Sequence, residues 1–575
     1  MMVNLKARWQ KKYFNWRLYG LFCVLAILII IFCVRAFYLQ VMQHDFLHAQ
    51  SQVRSTKNIV LPAVRGSIFD RYGEPLAISA PVYSIFINPQ KFILSDDVEK
   101  KIINLLNLDI KKIRNRLKKY KNRQFMYLKR SVLPLMAMKV KSLAIPGMYV
   151  GKYYQRFYPD GSMLGPLVGL TDIDEQGQEG VELAYNDWLV GVSQKRNIRH
   201  DRRGGIIDIL AEELGSPYGK GLSLSIDRRI QHISHMALIE AIYNYKARSG
   251  SIVVLDAKNS EILAIANYPS FNPNNRSDLI PELIRNRAVT DVFEPGSVIK
   301  PFTLAYALSS GQYHKDDIIN TSPGWLRIDG RKIHDVRNYG QLTVRDILKK
   351  SSNVGIAKMM MQLPAVEFKY FLARFGFGEV SFSGLPGERS GAISTEGRLT
   401  AAKAASLGFG YGLAVTTLQL AQAYAVLAAE GVRYPLSVVA GGVKAHGQRV
   451  LDAQTAAEVM NMLETVVSPA GTGHRAMVQG FRVAGKTGTV RMVTDGDYDL
   501  DRYTALFAGI VPADQPELVV VVVIHDPRGE QYYGGEVAAP VFAKIAKRSL
   551  HVLNVEPNNK THGHSSNKKS HQSLS

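Results

Sequence analysis

Residues 292 to 302 read VFEPGSVIKPF, and they place Ser297 and Lys300 three positions apart between two prolines. Pro295 and Gly296 break the preceding structure, so a helix is predicted to begin at Ser297, where free backbone N–H groups favour negative charge. One interpretation is a helix cap followed by a surface lysine. The other is a nucleophile and its base on one face of a helix, one turn apart.

The second interpretation requires a further residue. A lysine can take a proton from a serine only if burial or a neighbouring cation lowers the lysine pKa from about 10.4. The pair alone is weak support, because two more S-x-x-K matches begin at Ser565 and Ser566 in a polar tail. The interpretation therefore predicts a second cation close to Lys300.

Two more short motifs follow in the chain. SSN at 351–353 lies in a stretch with a helical pattern and offers a hydroxyl and an amide. KTG lies in the predicted strand VAGKTGTV, where Lys486 is the expected second cation and Thr487 offers a hydroxyl to a carboxylate. Gly485 and Gly488 are expected to let a substrate backbone approach this strand and pair with it.

S-x-x-K, S-x-N and K-T-G, in this order, form the signature of penicillin-recognising serine enzymes. On these motifs the chain resembles a class B penicillin-binding protein, a peptidoglycan D,D-transpeptidase, and more closely the division-specific FtsI type, penicillin-binding protein 3. The resemblance spans about residues 5 to 555. The other stretches that carry it are RGSIFDRYGEPLAIS, QGQEGVE, KKSSNVGIAK, LGFGYGLAVTTLQLAQAYA and DPRGEQYYGGEVAAPVF.

The resemblance implies four catalytic side chains. Ser297 would be the nucleophile that forms the acyl-enzyme, and Lys300 would be its base. Ser351 would relay protons, and Lys486 would tune the local field. D-alanine would leave from a D-Ala-D-Ala stem peptide, and the amine of a neighbouring stem would attack the acyl-serine. β-Lactams would acylate the same serine; no cofactor is implied, and the sequence has no cluster of metal ligands.

The resemblance also implies the groups that bind substrate. Asn353 would bind a substrate amide, and Thr487 would hold the terminal carboxylate. Gly488 and Thr489 belong to the strand along which the substrate backbone would lie. The backbone N–H groups of Ser297 and Thr489 would form the oxyanion hole.

The pattern of elements predicts an α+β fold. SGSIVVLDAKNSEILAIANYP (249–269) is a hairpin, and the strands FRVAGKTGTVRMV, YTALFAGIVP and LVVVVVIHDP return much later, with helices inserted between. The resemblance implies a transpeptidase domain over 216–553, an antiparallel sheet flanked by helices as in serine β-lactamases. An elongated pedestal domain of the dimerisation type would precede it over 43–215. A polar, disordered tail would follow over 554–575.

An N-terminal transmembrane signal anchor is predicted over 18–42, after a short tail, 1–17. LYGLFCVLAILIIIFCV carries no charge, and about 20 such residues cross a bilayer. The cations that precede it, without an acidic residue, are Lys6, Arg8, Lys11, Lys12 and Arg17. They predict an N-terminus in the cytoplasm and a periplasmic catalytic domain on a bacterial inner membrane. The net charge of +22 then favours anionic lipid or wall polymer over nucleic acid as a partner.

Other functions of the same motifs remain as alternatives. An elongation-type transpeptidase differs from a division-type one only through the resemblance, which also implies a septal location. A β-lactamase or β-lactam sensor would not need the long segment before the hairpin, and a non-catalytic division scaffold would be expected to lose the three motifs. Glu379, Glu388 and Glu396 lie in loop-like sequence, so no glutamate between SSN and KTG is expected to activate water.

Partners are predicted in two ways. The resemblance implies a multi-pass septal glycosyltransferase and other divisome proteins. Residues 100–130 hold twelve lysines and arginines and a single acidic residue, Asp109, with apolar residues at helical spacing. This stretch predicts an amphipathic helix pair, either simply solvated or a docking face for a partner.

Overall fold

The computed structural model describes residues 3–61, 63–200, 206–212, 216–277, 279–394, 400–441, 446–494 and 497–557. The chain forms two compact units, one of residues 1–63 with 192–217 and one of residues 64–191 with 218–575. From residue 558 onward the predicted tail, with its two extra S-x-x-K matches, lies outside the described residues.

The first unit contains the predicted membrane anchor. Helix Val3–Phe37 continues as a π-helical turn, Tyr38–Met42, and is followed by helix His44–Ser55. The segment Trp16–Met42, which includes the π-helical turn, is long and apolar enough to cross a membrane. Its most apolar part is not buried in the protein. A three-stranded antiparallel sheet completes the unit. Its strands, in spatial order, are Thr56–Leu61, Gln194–His200 and Ile206–Glu212.

The second unit begins with a sheet built around one long strand, Pro75–Ile87. A tight turn joins Ile68–Phe69 to the start of this strand, and the Asp70 carboxylate holds the turn by accepting the backbone N–H groups of Tyr72 and Glu74, both at 2.8 Å. The other strands of this sheet are Ile68–Phe69, Met126–Val132, Met148–Phe157 and Leu222–Ser223. Short helical segments that follow it are Gly161–Met163, Gly165–Val168, Gly180–Ala184 and Asn186–Leu189.

The basic stretch forms the predicted helix pair. Helices Asp96–Leu106 and Ile110–Lys119 begin at the side-chain caps Ser95 and Asp109, which accept backbone N–H groups of the first turn. Ile102, Leu106 and Ile113 are buried with a third helix, Pro134–Ser142, in a small core of their own. The lysines of the pair consequently face outward.

The principal sheet has the five strands that the sequence predicts. They are Ser249–Asp256 (β1), Ile262–Tyr268 (β2), Ala484–Thr494 (β3), Asp497–Val511 (β4) and Leu518–His525 (β5). Their spatial order is β2-β1-β5-β4-β3, and every pair is antiparallel. The early hairpin therefore lies at one end of the sheet, and the KTG strand forms the opposite edge.

Helices cover both faces of this sheet. In β5, alternate valines enter two different hydrophobic cores, which explains its unbroken apolar run. Helices Arg228–Asn244 and Gly534–Val552 cover one face. The inserted helices lie on the other: Lys300–Ser309 (α1), Val344–Lys350 (α2), Asn353–Met360 (α3), Ala365–Arg374, Ala401–Gly408, Thr417–Ala428 and Ala453–Val467. Short strands in this insertion are Ile318–Asn320, Trp325–Ile328, Arg331–His334 and Gln341–Thr343.

Candidate active site

Ser297 lies in a single 3-10 turn, Gly296–Ile299, that leads directly into α1. Gly296 has a φ of 55°, in the region that favours glycine, and a Cβ there would lie 2.4 Å from Cγ2 of Val490. Its backbone N–H also donates to the Gly410 carbonyl at 3.1 Å. Glycine therefore lets the turn pack directly against β3, with Ser297 only partly buried beside that strand.

Lys300 is the first residue of α1 and is fully buried. Its ammonium donates to the Ser351 carbonyl at 2.7 Å, to Ser351 Oγ at 3.1 Å and to Asn353 Oδ1 at 2.8 Å. Burial, and then the positive charge of Lys486, hold the Lys300 pKa well below its usual value, while Asp335 opposes the shift. The surface-lysine interpretation of the first motif is therefore wrong.

Lys486 is the second cation, at the place where the sequence predicts one. It lies in β3, is fully buried, and donates to Ser351 Oγ at 3.0 Å and to the Thr487 carbonyl at 3.1 Å. Burial lowers the pKa of Lys486 to about 7. Two buried lysines thus share one serine hydroxyl, and their mutual repulsion favours a state in which one of them is neutral.

The sequence pattern predicted that SSN lies within a helix. In the structure, SSN instead forms the break between α2 and α3. Ser351 adopts the left-handed conformation with φ 58°, which ends α2 and turns its side chain toward the two lysines. Ser352 then caps α3 by accepting the Gly355 N–H at 2.9 Å. This break places Ser351 and Asn353 within reach of Lys300.

Asp335 fixes this break, and sequence reasoning missed it. The carboxylate is buried, accepts the Ser352 hydroxyl at 2.6 Å, and accepts the backbone N–H groups of Asn353 and Val354 at 2.5 and 3.0 Å. It also lies close enough to Lys300 to influence its pKa. No local pattern in HDVRNYG marks Asp335, because its partners are all at least 17 residues away in the chain.

β3 is the edge strand of the sheet and pairs only with β4 among the described strands. Its outer edge is therefore open to an extended peptide, which could add a strand there. Thr487 Oγ1 donates to Thr472 Oγ1 at 3.0 Å, and Thr489 Oγ1 accepts the Gly534 N–H at 2.9 Å. These two threonines and their partners are held in place beside that open edge.

The two glycines of β3 allow close packing against both faces of the strand. A Cβ at Gly485 would lie 2.6 Å from the Phe507 ring, and one at Gly488 would lie 3.1 Å from both Leu506 and Val298. Both directions point into the protein, and the predicted pairing of a substrate backbone along the strand stays a prediction. Gly488 instead allows the turn that carries Ser297 to pack closely on the strand.

The glutamates considered for water activation are engaged elsewhere or not described. Glu379 pairs with Arg433 at 3.3 Å, and Glu388 accepts hydrogen bonds from Ser383. Glu396 lies outside the described residues. In the part of the chain that the structure describes, no group of three or more His, Cys, Asp or Glu side chains is arranged to hold a metal ion.

The site joins a partly buried serine, a buried lysine pair and an open strand edge. Ser297 lies one turn before Lys300, whose hydrogen bonds go to Ser351 and Asn353. A serine next to a lysine with a lowered pKa can be activated as a nucleophile. The open edge of β3 provides a place for a peptide. The fold and site together define a serine acyl-transfer enzyme of the penicillin-recognising class.

Comparisons with known proteins agree with this assignment. The model of the penicillin-binding protein transpeptidase domain matches residues 250–547, and the model of the penicillin-binding protein dimerisation domain matches residues 60–224. The chain therefore belongs to the penicillin-binding protein transpeptidase family. The resemblance predicted from the three motifs is confirmed.

Individual relatives match almost the whole chain. The peptidoglycan D,D-transpeptidase FtsI of Escherichia coli K12 is 39% identical over 558 residues, which is 96% of this chain and 94% of that protein. FtsI of Buchnera aphidicola subsp. Schizaphis graminum is 35% identical over 95% of this chain and 97% of its own. The transpeptidase domain of penicillin-binding protein 3 from Burkholderia pseudomallei, a solved structure, is 36% identical, covers 58% of this chain and 98% of its own, and has a TM-score of 0.54.

A second solved structure extends the likeness beyond the transpeptidase domain. A peptidoglycan synthetase from Bifidobacterium adolescentis is 25% identical and covers 88% of this chain and 98% of its own, with a TM-score of 0.68. The predicted α+β architecture, with an antiparallel sheet flanked by helices, is confirmed. The similarity favours a transpeptidase over the sensor and scaffold alternatives.

Proposed function

We propose that this protein is a peptidoglycan D,D-transpeptidase that acts through an acyl intermediate on Ser297. The observation that carries this proposal is the convergence of two buried lysines, Lys300 and Lys486, on the Ser351 hydroxyl beside the turn that bears Ser297. A lysine can serve as a base only when its proton is easily lost, and burial beside another cation favours that loss. The names of the FtsI relatives support the same reaction.

In the first step, Ser297 Oγ bonds to the carbonyl carbon of the penultimate D-alanine while the neutral Lys300 amine takes the hydroxyl proton. Lys300 is the better candidate for the neutral partner, because both burial and the Lys486 charge lower its pKa. The backbone N–H groups of Ser297 and Thr489 hold the developing oxyanion. The C–N bond then breaks, and the leaving D-alanine amine takes a proton through Ser351.

In the second step, the amine of a neighbouring stem peptide attacks the ester carbon. It loses a proton to the same base, forms the cross-linking amide and frees Ser297. If water attacks instead, the product is a shortened stem peptide, which is the carboxypeptidase reaction. The engagement of Glu379 with Arg433 and of Glu388 with Ser383 supports slow attack by water and a long-lived acyl-enzyme.

The donor stem peptide binds along β3. Its terminal carboxylate lies at the hydroxyl of Thr487, which Thr472 orients, and its backbone pairs with the strand at Gly488 and Thr489. The Asn353 amide binds a peptide amide of the stem. Its Oδ1 accepts from Lys300 and its Nδ2 donates to the His334 carbonyl at 3.2 Å, which holds the side chain in one orientation.

The N-terminal helix anchors the protein in the inner membrane, with residues 1–17 in the cytoplasm and the catalytic domain in the periplasm. The cations before the apolar run support this orientation. Residues 43–215 form the pedestal, 216–553 the transpeptidase domain and 554–575 a tail. The FtsI relatives support work at the division septum, with a multi-pass glycosyltransferase and other divisome proteins as partners.

Covalent labelling by penicillin tests this function. Mass spectrometry of the intact protein in detergent should show one penicilloyl group, and peptide mapping should place it on Ser297. Ser297→Ala should abolish labelling, whereas Ser309→Ala, at an exposed serine that ends α1, should leave it unchanged. Labelling that persists in Ser297→Ala would assign the nucleophile to another residue.

A further inference from the structure

A cavity lies beside the candidate active site and has no part in the chemistry proposed above. Its volume is about 610 Å³, and it is lined by the last residues of β3, by Asp291 to Glu294 just before the turn of Ser297, and by the ends of β1 and β5. Four arginines line it: Arg248, Arg285, Arg287 and Arg491. We call it the arginine cavity.

Arg287 is the buried member of this set. It is only 6% exposed, and its Nη1 has no hydrogen-bond partner among the described residues. The nearest carboxylate is that of Asp291 at 3.9 Å, and Asp291 is held more closely by Arg285, at 3.1 Å. This Nη1 has almost no accessible surface, so it offers no open contact to the cavity, but the incompletely paired guanidinium leaves positive charge at the wall.

The other charges of the arginine cavity leave it positive. Arg248 and Arg491 are exposed, and the described residues place no carboxylate within salt-bridge distance of either. Glu282 is an exposed carboxylate at the wall. Glu294 is already occupied by neutral donors, the Gly412 N–H at 2.9 Å and the Tyr498 hydroxyl at 3.0 Å. Four arginines therefore face three carboxylates.

His525 adds no charge to this balance. Burial lowers the pKa of His525 to about 4, so the imidazole is neutral near pH 7. Its Nδ1 is hydrogen-bonded with Thr504 Oγ1 at 3.1 Å, and its ring packs edge-on against Phe293. The neutral imidazole lines the cavity, so the positive charge of the cavity comes from the arginines.

We propose that the arginine cavity binds a compact oxyanion, a carboxylate or a phosphate, against Arg287 and Arg248. Guanidinium groups match the planar, bidentate geometry of such anions better than lysines do. The anion neutralises the excess positive charge of the four arginines, contacting exposed Arg248 and the small part of Arg287 that lies at the wall. Since Asp291 to Glu294 lead directly into Ser297, the bound anion also fixes the segment that positions the nucleophile.

Two sources can provide this oxyanion. One is a free phosphate or carboxylate from solution. The other is a carboxylate of the donor stem peptide itself. This second possibility rests on the proposed function. A peptide antiparallel to β3, with its C-terminus at Thr487, would run its N-terminal part past Val490 to Val493, which line the cavity.

Calorimetric titration of the full-length protein in detergent with inorganic phosphate tests the first source, at an ionic strength held constant with sodium chloride. We expect saturable binding that weakens about tenfold or more in Arg248→Gln and in Arg287→Gln, the usual scale for a lost charge-assisted hydrogen bond. Arg345→Gln, at a half-exposed arginine outside the cavity that pairs with Asp316, is the matched control and should bind as the natural protein does. Penicillin labelling of each sample gives its folded fraction, which matters for the buried Arg287.

Two stem-peptide analogues test the second source, one with a free carboxylate upstream of D-Ala-D-Ala and one with the corresponding amide. If the substrate fills the cavity, kcat/KM should favour the carboxylate, and Arg248→Gln should remove that preference while Arg345→Gln keeps it. Either result supports the proposal and identifies the source. Two results together would overturn the proposal. Phosphate would either not bind or bind equally to the natural protein and Arg248→Gln, and the natural protein would use both analogues equally. Loss of penicillin labelling alone would instead count against the proposed function.

Discussion

Two fully buried charge clusters in the same unit are built on opposite plans. In the part of the chain predicted to form the pedestal, Glu182 joins two arginines, with Oε2 at 2.6 Å from Arg65 Nε and Oε1 at 2.6 Å from Arg156 Nε; we call this group the pedestal cluster. All three side chains are at most 1% exposed. In the candidate active site, two buried lysines meet not at a carboxylate but at the Ser351 hydroxyl, at 3.1 and 3.0 Å.

The difference follows from what each cation can do. A guanidinium stays protonated in proteins, so two buried arginines require an anion between them. A lysine can lose its proton when it is buried, and a neutral hydroxyl then suffices as the shared partner. The pedestal cluster is consequently a fixed structural joint, whereas the lysine pair holds a proton that can move. Four substitutions test this contrast, and they follow in order of expected effect.

Glu182→Gln should have the largest effect, on stability. It removes the anion between Arg65 and Arg156 and leaves two buried positive charges, so the free energy of unfolding should fall by about 3–5 kcal/mol. Denaturant unfolding of the protein in detergent measures this loss. The control is Glu517→Gln, which breaks the surface pair with Lys258 and should cost about 1 kcal/mol or less. Equal losses in both variants would contradict the view of the pedestal cluster as a buried joint.

Lys300→Arg should reduce acylation by penicillin on the order of 10²-fold or more, which is the usual scale for loss of a general base. The guanidinium retains the positive charge but cannot accept the Ser297 proton. Lys486→Arg is the matched variant, because it keeps a charge at the other end of the pair and should lose less. Stopped-flow or quenched labelling gives both rates. If the two rates fall equally, the division into base and field-tuning cation is wrong.

The pH profile of acylation should report the coupling of the two lysines. The rate should rise with pH as the Lys300 amine loses its proton, at a pH well below the ordinary lysine pKa. In Lys486→Met the neighbouring charge is gone, so the Lys300 pKa rises and the acid limb moves to higher pH. It should remain below the ordinary value, because burial is the larger cause of the shift. An acid limb that does not move would show that the two lysines are not coupled.

The sequence predicted those parts of the site whose residues lie close together in the chain. S-x-x-K and K-T-G each lie within one turn or one strand, and the requirement for a second cation led correctly to Lys486. The unbroken apolar run of β5 and the hairpin of β1 and β2 were equally visible, because short β-rich runs bounded by turn residues do not depend on distant partners.

The rest depends on contacts between distant parts of the chain. The direction of Gly488 is set by Val298 and Leu506, and the left-handed turn at Ser351 is set by packing between α2 and α3. Nothing in the sequence distinguishes Arg287 from an ordinary helix residue, and only the structure shows that it lines a cavity. Such features have no sequence signature, since tertiary packing overrides local preference.

Asp335→Asn should have the smallest effect and separates positioning from charge. Asp335 holds the break between α2 and α3 through Ser352, Asn353 and Val354, so weaker acceptors should lower the plateau rate of acylation about tenfold. Its negative charge also raises the Lys300 pKa, and removing that charge should move the acid limb to lower pH, opposite to Lys486→Met. A purely structural role would lower the rate without moving the limb. An acid limb that moves to higher pH would contradict the placement of this carboxylate beside the base. Opposite shifts in Asp335→Asn and Lys486→Met would show that a cation and an anion set the Lys300 pKa in opposite directions.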